Sequence, residues 1–282
     1  MMQTQTTCPY CGVGCGVRAT VSDGVVSVQG DEAHPANFGR LCVKGASLAE
    51  TTGLAGRLLH PQLDGETVGW PQALNAAGER LRAIIAEHGP QAVAFYASGQ
   101  LLTEDYYAAN KLMKGFIGAG NIDTNSRLCM SSAVTGYKRA FGADVVPCSY
   151  EDVEHSDLVV LVGSNAAWAH PVLYQRLVQA KRDNPQMNVV VIDPRRTATC
   201  DIADQHLAIA PGTEAGLFVG LLQAIAETDK VNADFADAAI ALEKAAGWTV
   251  AAVADFCGLP AAEVQAFYQR FLAAPRAITL YT

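Results

Sequence analysis

Apolar positions follow two different rhythms along the chain. From about Leu58 onward, helical stripes alternate with short unbroken apolar runs. Leu74, Ala77, Leu81, Ile84 and Ile85 recur at helical spacing and predict a helix over PQALNAAGERLRAIIAEHG. Pro71 suits its first turn and Gly89 its stop. AVAFYAS predicts a short buried strand. Thr103 is placed to cap a helix through Tyr106, Tyr107 and Leu112 that ends near Gly118 and Gly120. Another helix runs from Ser131 to Phe141 and stops at Gly142. Three apolar runs follow, DLVVLVGSN, MNVVVIDPRR and HLAIAPGT. Helices around Pro171 to Arg182, and from Thr213 through Leu222 and Ile225, are interleaved with them. PAAEVQAFYQRFLAA and AITLYT predict a closing helix and strand. Unbroken apolar strands alternating with helices argue for a parallel sheet covered on both faces.

Residues 1–57 are different. They are rich in Gly and Cys and show almost no helical periodicity. GVRATV and VVSVQG, joined through Asp23-Gly24, predict a β-hairpin, because Asp-Gly accepts the positive φ angles of a tight turn. The module is too poor in apolar bulk to fold well alone, a deficit that a metal centre would offset. The expected architecture is therefore α/β. A small N-terminal cysteine-bearing hairpin domain, residues 1–57, is followed by α/β layers with a Rossmann-like parallel sheet, residues 58–282. The last residue, Thr282, falls within a predicted strand, so the α/β region is expected to continue beyond the given chain.

Composition narrows the function. The 282 residues are 50% hydrophobic and 17% charged, with a formal net charge of −8 and no basic cluster, which argues against nucleic-acid binding. The N-terminus MMQTQTTCPY lacks the pattern of a secretory leader. The most apolar stretch, Leu158 to Val162, is far too short to span a bilayer. A cytoplasmic protein without a membrane partner is the expectation.

Eight cysteines are present. In such a chain clustered cysteines suggest metal or redox chemistry rather than disulfides. Cys8-x2-Cys11-x3-Cys15 can wrap three corners of a cubane, and Cys42 can close it. Gly12, Gly14 and Gly16 let the loop turn tightly around the sulfurs. Structural zinc favours two close pairs of ligands, and Cys42 has no neighbouring partner. A thioredoxin-like reading of Cys8-Pro9-Tyr10-Cys11 lacks the preceding strand and following helix. A 4Fe–4S cluster on Cys8, Cys11, Cys15 and Cys42 is the reading these residues support. Cys129, Cys148, Cys200 and Cys257 are scattered, and most of them read as ordinary buried thiols.

Cys8-Pro9-Tyr10-Cys11-Gly12-Val13-Gly14-Cys15, with Gly39-Arg40-Leu41-Cys42-Val43-Lys44-Gly45, resembles the start of the molybdopterin oxidoreductases related to DMSO reductase. The resemblance covers the whole chain as the N-terminal portion of such a protein. It implies a bis-molybdopterin guanine dinucleotide cofactor on molybdenum beside one 4Fe–4S cluster. Asn125-Ser126-Arg127-Leu128-Cys129-Met130-Ser131-Ser132-Ala133 resembles the metal-ligand segment of the family's nitrate reductases, which implies Cys129 as the thiolate on molybdenum. A thiol at a helix start suits that role, since the helix end favours the anion. Formate dehydrogenases of the family carry histidine where this chain has Met130. GYKRAFGADVVPCSYEDVEHSD is similar to the cytoplasmic assimilatory nitrate reductases.

The same resemblance implies further roles. Lys44 would lie between cluster and pterin and help electrons pass. Gln100 and Asn125 would contact the pterin, although each also suits a turn that satisfies its own backbone. Gly163-Ser164-Asn165 would meet phosphate, its match extending through Trp168, His170 and Pro171. Asp193 and Arg195, in Asp193-Pro194-Arg195-Arg196, would meet ribose, guanine or phosphate. Gly212-Thr213-Glu214 would form a third contact, with Glu214 where relatives usually have Asp. The implied function is molybdenum-dependent reduction of nitrate to nitrite in nitrate assimilation. Electrons would come through the cluster from ferredoxin, flavodoxin or an NADH-linked flavoprotein. Formate dehydrogenase, another oxidoreductase of the family, or a non-catalytic electron-transfer or cofactor-carrying module are the alternatives.

Overall fold

The computed structural model describes residues 1–126, 128–232 and 237–282. The chain forms two compact units, Met1–Ala133 and Val134–Thr282.

The first unit opens with a three-stranded antiparallel sheet of β1 (Met2–Thr7), β2 (Gly16–Ser22) and β3 (Val25–Gly30). The β2–β3 hairpin is the one that Asp23-Gly24 predicts. Asp23 and Gly24 take φ of 52° and 79°, and Ser22 pairs with Val25 across the turn. β1 was not legible in the sequence. Its six residues are all exposed, so no alternation of apolar and polar positions marks it; its backbone pairing with β2 makes it a strand. A two-stranded ribbon follows, β4 (Gln62–Leu63) with β5 (Glu66–Thr67).

The helix Trp70–His88 has its proline and glycine where expected, Gly89 ending it at φ 81°. Its apolar stripe is not a core face here: none of its residues is buried, and Leu74 is 64% exposed. Ile85 packs against a small cluster of Val93, Met113 and Ala119. The strand expected at AVAFYAS is β6 (Phe95–Ala97), paired in parallel with β7 (Ile122–Thr124). Only Ala97 of β6 is buried, against the expectation of a buried strand. Thr103 begins its helix but does not cap it. Leu102 holds the cap position, and its N–H donates to the Asp105 carboxylate at 3.3 Å. That helix widens into a π-turn over Lys111–Ile117 and ends at Gly118, with φ 81°.

The second unit contains the expected parallel sheet. β8 (Leu158–Val162), β9 (Asn188–Ile192), β10 (Gln205–Leu207) and β11 (Ala277–Tyr281) stand in the order β10-β9-β8-β11, and every pair is parallel. Successive side chains on a strand point to opposite faces. Leu158, Val160, Val162, Val190 and Ile192 therefore join one core, with Leu217, Leu221, Val253, Phe267 and Tyr268. Val159, Leu161, Val189 and Val191 join the other, with Val153, Leu177 and Met187. Burial on both faces explains why these strands read as unbroken apolar runs. The helix Glu214–Ala226 comes close to its neighbours because it has glycine at two contact points. A Cβ on Gly216 would stand 2.5 Å from Phe256, and one on Gly220 would collide with Val253 and the Tyr268 hydroxyl. Among the described residues no single helix is long and apolar enough to cross a membrane.

The edge strand β11 is clamped to β8 by charge. Arg276 Nε and Nη2 donate to the two oxygens of Asp157 at 3.0 and 2.9 Å, and Asp157 N–H and Leu158 N–H both donate to the Arg276 carbonyl. The guanidinium holds the Asp157 carboxyl below the usual carboxylate range. A group whose folded pKa is depressed adds stability above its unfolded pKa, about 4, and loses it as pH falls through the folded value. Asp157→Asn should therefore lower the melting temperature at pH 7. The gap to the wild type should close as pH drops below about 4; thermal melts at pH 7, 5 and 3 measure it.

Candidate functional site

The cysteine loop is built on backbone geometry. Cys8 N–H donates to the Cys15 carbonyl at 2.8 Å, closing the loop, and Gly14 turns inside it at φ 64°. Cys8 and Cys15 are buried, at 5% and 7% exposure, while Cys11 and Cys42 are partly exposed. Burial, reinforced by the nearby Cys8, Cys11 and Cys42 thiols, pushes the Cys15 thiol up to about 11. The four sulfurs thus crowd one another, and as thiolates they would repel unless a polycationic group stood among them. Among the described residues no three His, Cys, Asp or Glu side chains converge on a point as one ion requires. Mononuclear zinc draws its donors to about 2.3 Å of one centre. A cubane spreads its cysteines over its corners. Four thiols, three of them close enough to raise the pKa of the fourth, match the donor set that a cubane takes.

Cys42 reaches this loop through a residue that the sequence reading missed. Asn37 is fully buried. Its Oδ1 accepts from Gly16 N–H at 2.8 Å, and its Nδ2 donates to the Gly16 and Arg40 carbonyls at 3.1 and 2.8 Å. One carboxamide thereby ties the residue after Cys15 to the segment entering Cys42. Asparagine near a glycine signals a turn, but nothing local distinguishes this buried knot from an exposed one. A Cβ on Gly30 would overlap the Gly39 backbone, so this second close approach also requires glycine.

Lys44, exposed two residues beyond Cys42, holds its Nζ 5.8 Å from the centroid of the Tyr10 ring. Tyr10 was not singled out in the sequence, although it lies between Cys8 and Cys11. Gln100 and Asn125 follow β6 and β7, whose register pairs Ala97 with Thr124. The turns after these strands therefore leave side by side. A Cβ on Gly99 would stand 2.6 Å from Asn125 Oδ1 and 2.8 Å from Ser126 Oγ, and one on Gly12 would stand 3.0 Å from the Leu101 carbonyl. The cysteine loop, the Gln100 turn and the Asn125 segment thus form one contiguous surface of the first unit. Cys129 is exposed in the turn before the helix Ser131–Phe141. Arg127, in the same matched segment, lies outside the described residues.

The remaining candidates lie in the second unit. Val162, Ile192 and Leu207 are in register across β8, β9 and β10. Gly163-Ser164-Asn165 and Asp193-Pro194-Arg195 leave directly from the first two strands, and Gly212-Thr213-Glu214 lies five residues past the third. Asp193 is buried, its Oδ1 accepting from Arg195 N–H at 2.8 Å. His206 Nε2 lies 2.9 Å from the Asp193 carbonyl oxygen. Arg195 and Arg196 are exposed. Gly212 turns at φ 81°, Thr213 Oγ1 donates to the Ala210 carbonyl at 2.6 Å, and the buried Cys257 thiol donates to the Thr213 carbonyl at 3.5 Å. Thr197 Oγ1, next to Arg196, is buried without a partner among the described residues. Trp168 and His170 are exposed. Exposed guanidiniums and an orphaned hydroxyl beside the carboxyl ends of parallel strands suit a phosphorylated ligand.

Two outcomes follow. Asn37→Ala should leave the protein with well under half the wild-type iron, since Cys42 loses its tether; iron analysis and the visible absorbance of the purified protein measure this. Gly99→Ala should displace Asn125 and lower the pterin content while sparing iron, measured by extracting and quantifying the pterin.

Comparisons with known proteins match both parts of the chain. The model of the molybdopterin oxidoreductase Fe4S4 domain matches residues 1–52, and the model of molybdopterin oxidoreductase matches residues 57–277. The chain is 76% identical over its whole length to a nitrate reductase of Klebsiella oxytoca, covering 33% of that protein. It is 50% identical over 82% of its length to a nitrate reductase of Shewanella frigidimarina, covering 26% of that protein. The chain therefore spans about a third or less of the relatives it matches. Among solved structures, acetylene hydratase from Pelobacter acetylenicus superimposes over 99% of the chain and 40% of its own, with a TM-score of 0.78 at 23% identity, a likeness of fold. A 4Fe–4S cluster and a molybdopterin cofactor are the groups that these two family regions carry. With both models matching and together spanning nearly all of its length, the chain belongs to the molybdopterin oxidoreductase family.

Proposed function

We propose that this chain is the cofactor-bearing N-terminal part of a molybdenum-dependent nitrate reductase that reduces nitrate to nitrite in nitrate assimilation, in the cytoplasm. The observation that carries the reading is the 76% identity, over the whole chain, to a protein named nitrate reductase. Met130 after Cys129 supports it against formate oxidation. Cys8, Cys11, Cys15 and Cys42 would hold the 4Fe–4S cluster, and Cys129 would ligate molybdenum in a bis-molybdopterin guanine dinucleotide. When bound, these groups would supply single-electron transfer and oxygen-atom transfer respectively.

The chain's own residues have defined tasks in this reading. The cysteine loop, which would hold the cluster, approaches the Leu101 backbone closely, since Gly12 leaves room there. Lys44, steadied over the Tyr10 ring, places a positive charge beside the ligand Cys42, which favours added negative charge nearby. Gln100 and Asn125 would orient the pterin. Gly163, Ser164, Asn165, Asp193, Arg195, Gly212, Thr213 and Glu214 would hold a guanine dinucleotide by its phosphates, ribose and base. Ferredoxin, flavodoxin or an NADH-linked flavoprotein would deliver the electrons.

The full-length protein, purified with iron and molybdenum, should reduce nitrate with reduced viologen as donor. Cys129→Ala should lower that rate by about a thousandfold or more while leaving iron unchanged, as expected for loss of a group acting at the reacting centre. Lys44→Ala should slow turnover with viologen far less than Cys129→Ala does. A protein holding both metals that oxidises formate and leaves nitrate untouched would overturn the reading. Iron without molybdenum would favour an electron carrier instead. Cell fractionation checks the compartment.

A further inference from the structure

The first two turns at the carboxyl edge of the parallel sheet are joined by a side chain that the family resemblance does not single out. Thr199 lies in the short segment Ala198–Ile202, just past Asp193-Pro194-Arg195-Arg196, and is fully buried. Its hydroxyl has two partners in the first turn and the residues after it. Ala167 N–H donates to Thr199 Oγ1 at 3.1 Å, and Thr199 Oγ1 donates to Asn165 Oδ1 at 3.0 Å. A hydroxyl has one proton to give and lone pairs to accept with. With Ala167 N–H already occupying an acceptor position, the proton goes to the Asn165 oxygen. If the Asn165 amide were turned over, Thr199 would meet two donors, and its own buried proton would lose its acceptor.

We propose that Thr199 is a positioning residue. It locks the Asn165 carboxamide with its oxygen inward, so that Nδ2 is the group offered to ligand. The first turn then presents a hydrogen-bond donor to an oxygen acceptor of a guanine nucleotide, on either phosphate or base. The proposal rests on the dinucleotide role given to Gly163–Asn165 above. It adds that the second turn sets the donor polarity of the first, through one buried hydroxyl.

Calorimetric titration of GDP into the full-length protein, produced in a host that makes no pterin cofactor, tests this. Thr199→Val should weaken GDP binding at least tenfold, and Thr199→Ser should restore it to within about threefold, since it keeps the hydroxyl. Asn165→Asp keeps an acceptor for Thr199 but offers the ligand only acceptors, and should weaken binding as much as Thr199→Val. Adding Thr199→Val to Asn165→Asp should then cost little more, whereas a merely structural role would weaken both backgrounds equally. Inorganic pyrophosphate titrated in parallel locates the acceptor. A matching loss in Asn165→Asp assigns it to phosphate, and a loss confined to GDP assigns it to the guanosine. Wild-type affinity in Thr199→Val, or additive losses in the double variant, would overturn the proposal. If Thr199→Val does not fold, Asn165→Asp carries the test alone, and unchanged GDP affinity there overturns the donor assignment. A wild-type protein that binds no GDP overturns the dinucleotide reading itself and the proposal with it.

Discussion

Parallel strand pairing is the constraint on which the placement of the candidate chemistry depends. Strands in parallel register end together, so the turns that leave them emerge along one edge. In the first unit, Ala97 against Thr124 brings Ser98-Gly99-Gln100 beside Asn125-Ser126. In the second, Val162 beside Ile192 and Ile192 beside Leu207 align the turn after β8 with the turn after β9. An antiparallel arrangement of the same strands would send successive turns to opposite ends. The same backbone device thus gathers candidate side chains in each unit, although β6 and β7 are short and partly exposed while β8 and β9 are buried on both faces.

The cysteine loop obeys a different physics. Its thiols are crowded and partly buried, a state that is unfavourable for four thiolates and is relieved by positive charge. The surrounding protein therefore spends its hydrogen bonds on geometry rather than on burial. The Cys8–Cys15 backbone bond and the Asn37 carboxamide fix the cysteine loop and the segment that enters Cys42. A small module with so few buried apolar groups depends on such bonds, and on its metal group, far more than the parallel-sheet unit does.

The elements that the sequence expressed well are those whose burial is two-sided or whose ends carry glycine or proline. Asp23-Gly24, Gly89, Gly142 and Pro171 all stand where the reading put them, because backbone φ is a local property. The less legible elements are those decided by partners distant in the chain. β1 is a strand because β2 is beside it, and its exposed residues carry no periodic signal. The stripe on Trp70–His88 predicted helix correctly, yet none of that helix is buried, since periodicity reports a face and not what covers it. Thr103 had the chemistry of a cap, but the chain turned into the helix one residue earlier, at Leu102.

By itself the sequence determined the fold class, the hairpin, the parallel-sheet unit and the identity of the chemistry-bearing types. Cysteine spacing, glycine turns and unbroken apolar runs are local records of metal affinity, backbone conformation and two-sided burial. Only the tertiary structure decided which side chains position those groups. Asn37, Thr199, Tyr10 and Cys257 look ordinary in the chain, and each acts on a segment that sequence order does not connect to it. A hydrogen bond between residues 34 positions apart, such as Thr199 to Asn165, leaves no mark in either local pattern, because its energy depends on a distance that only folding sets.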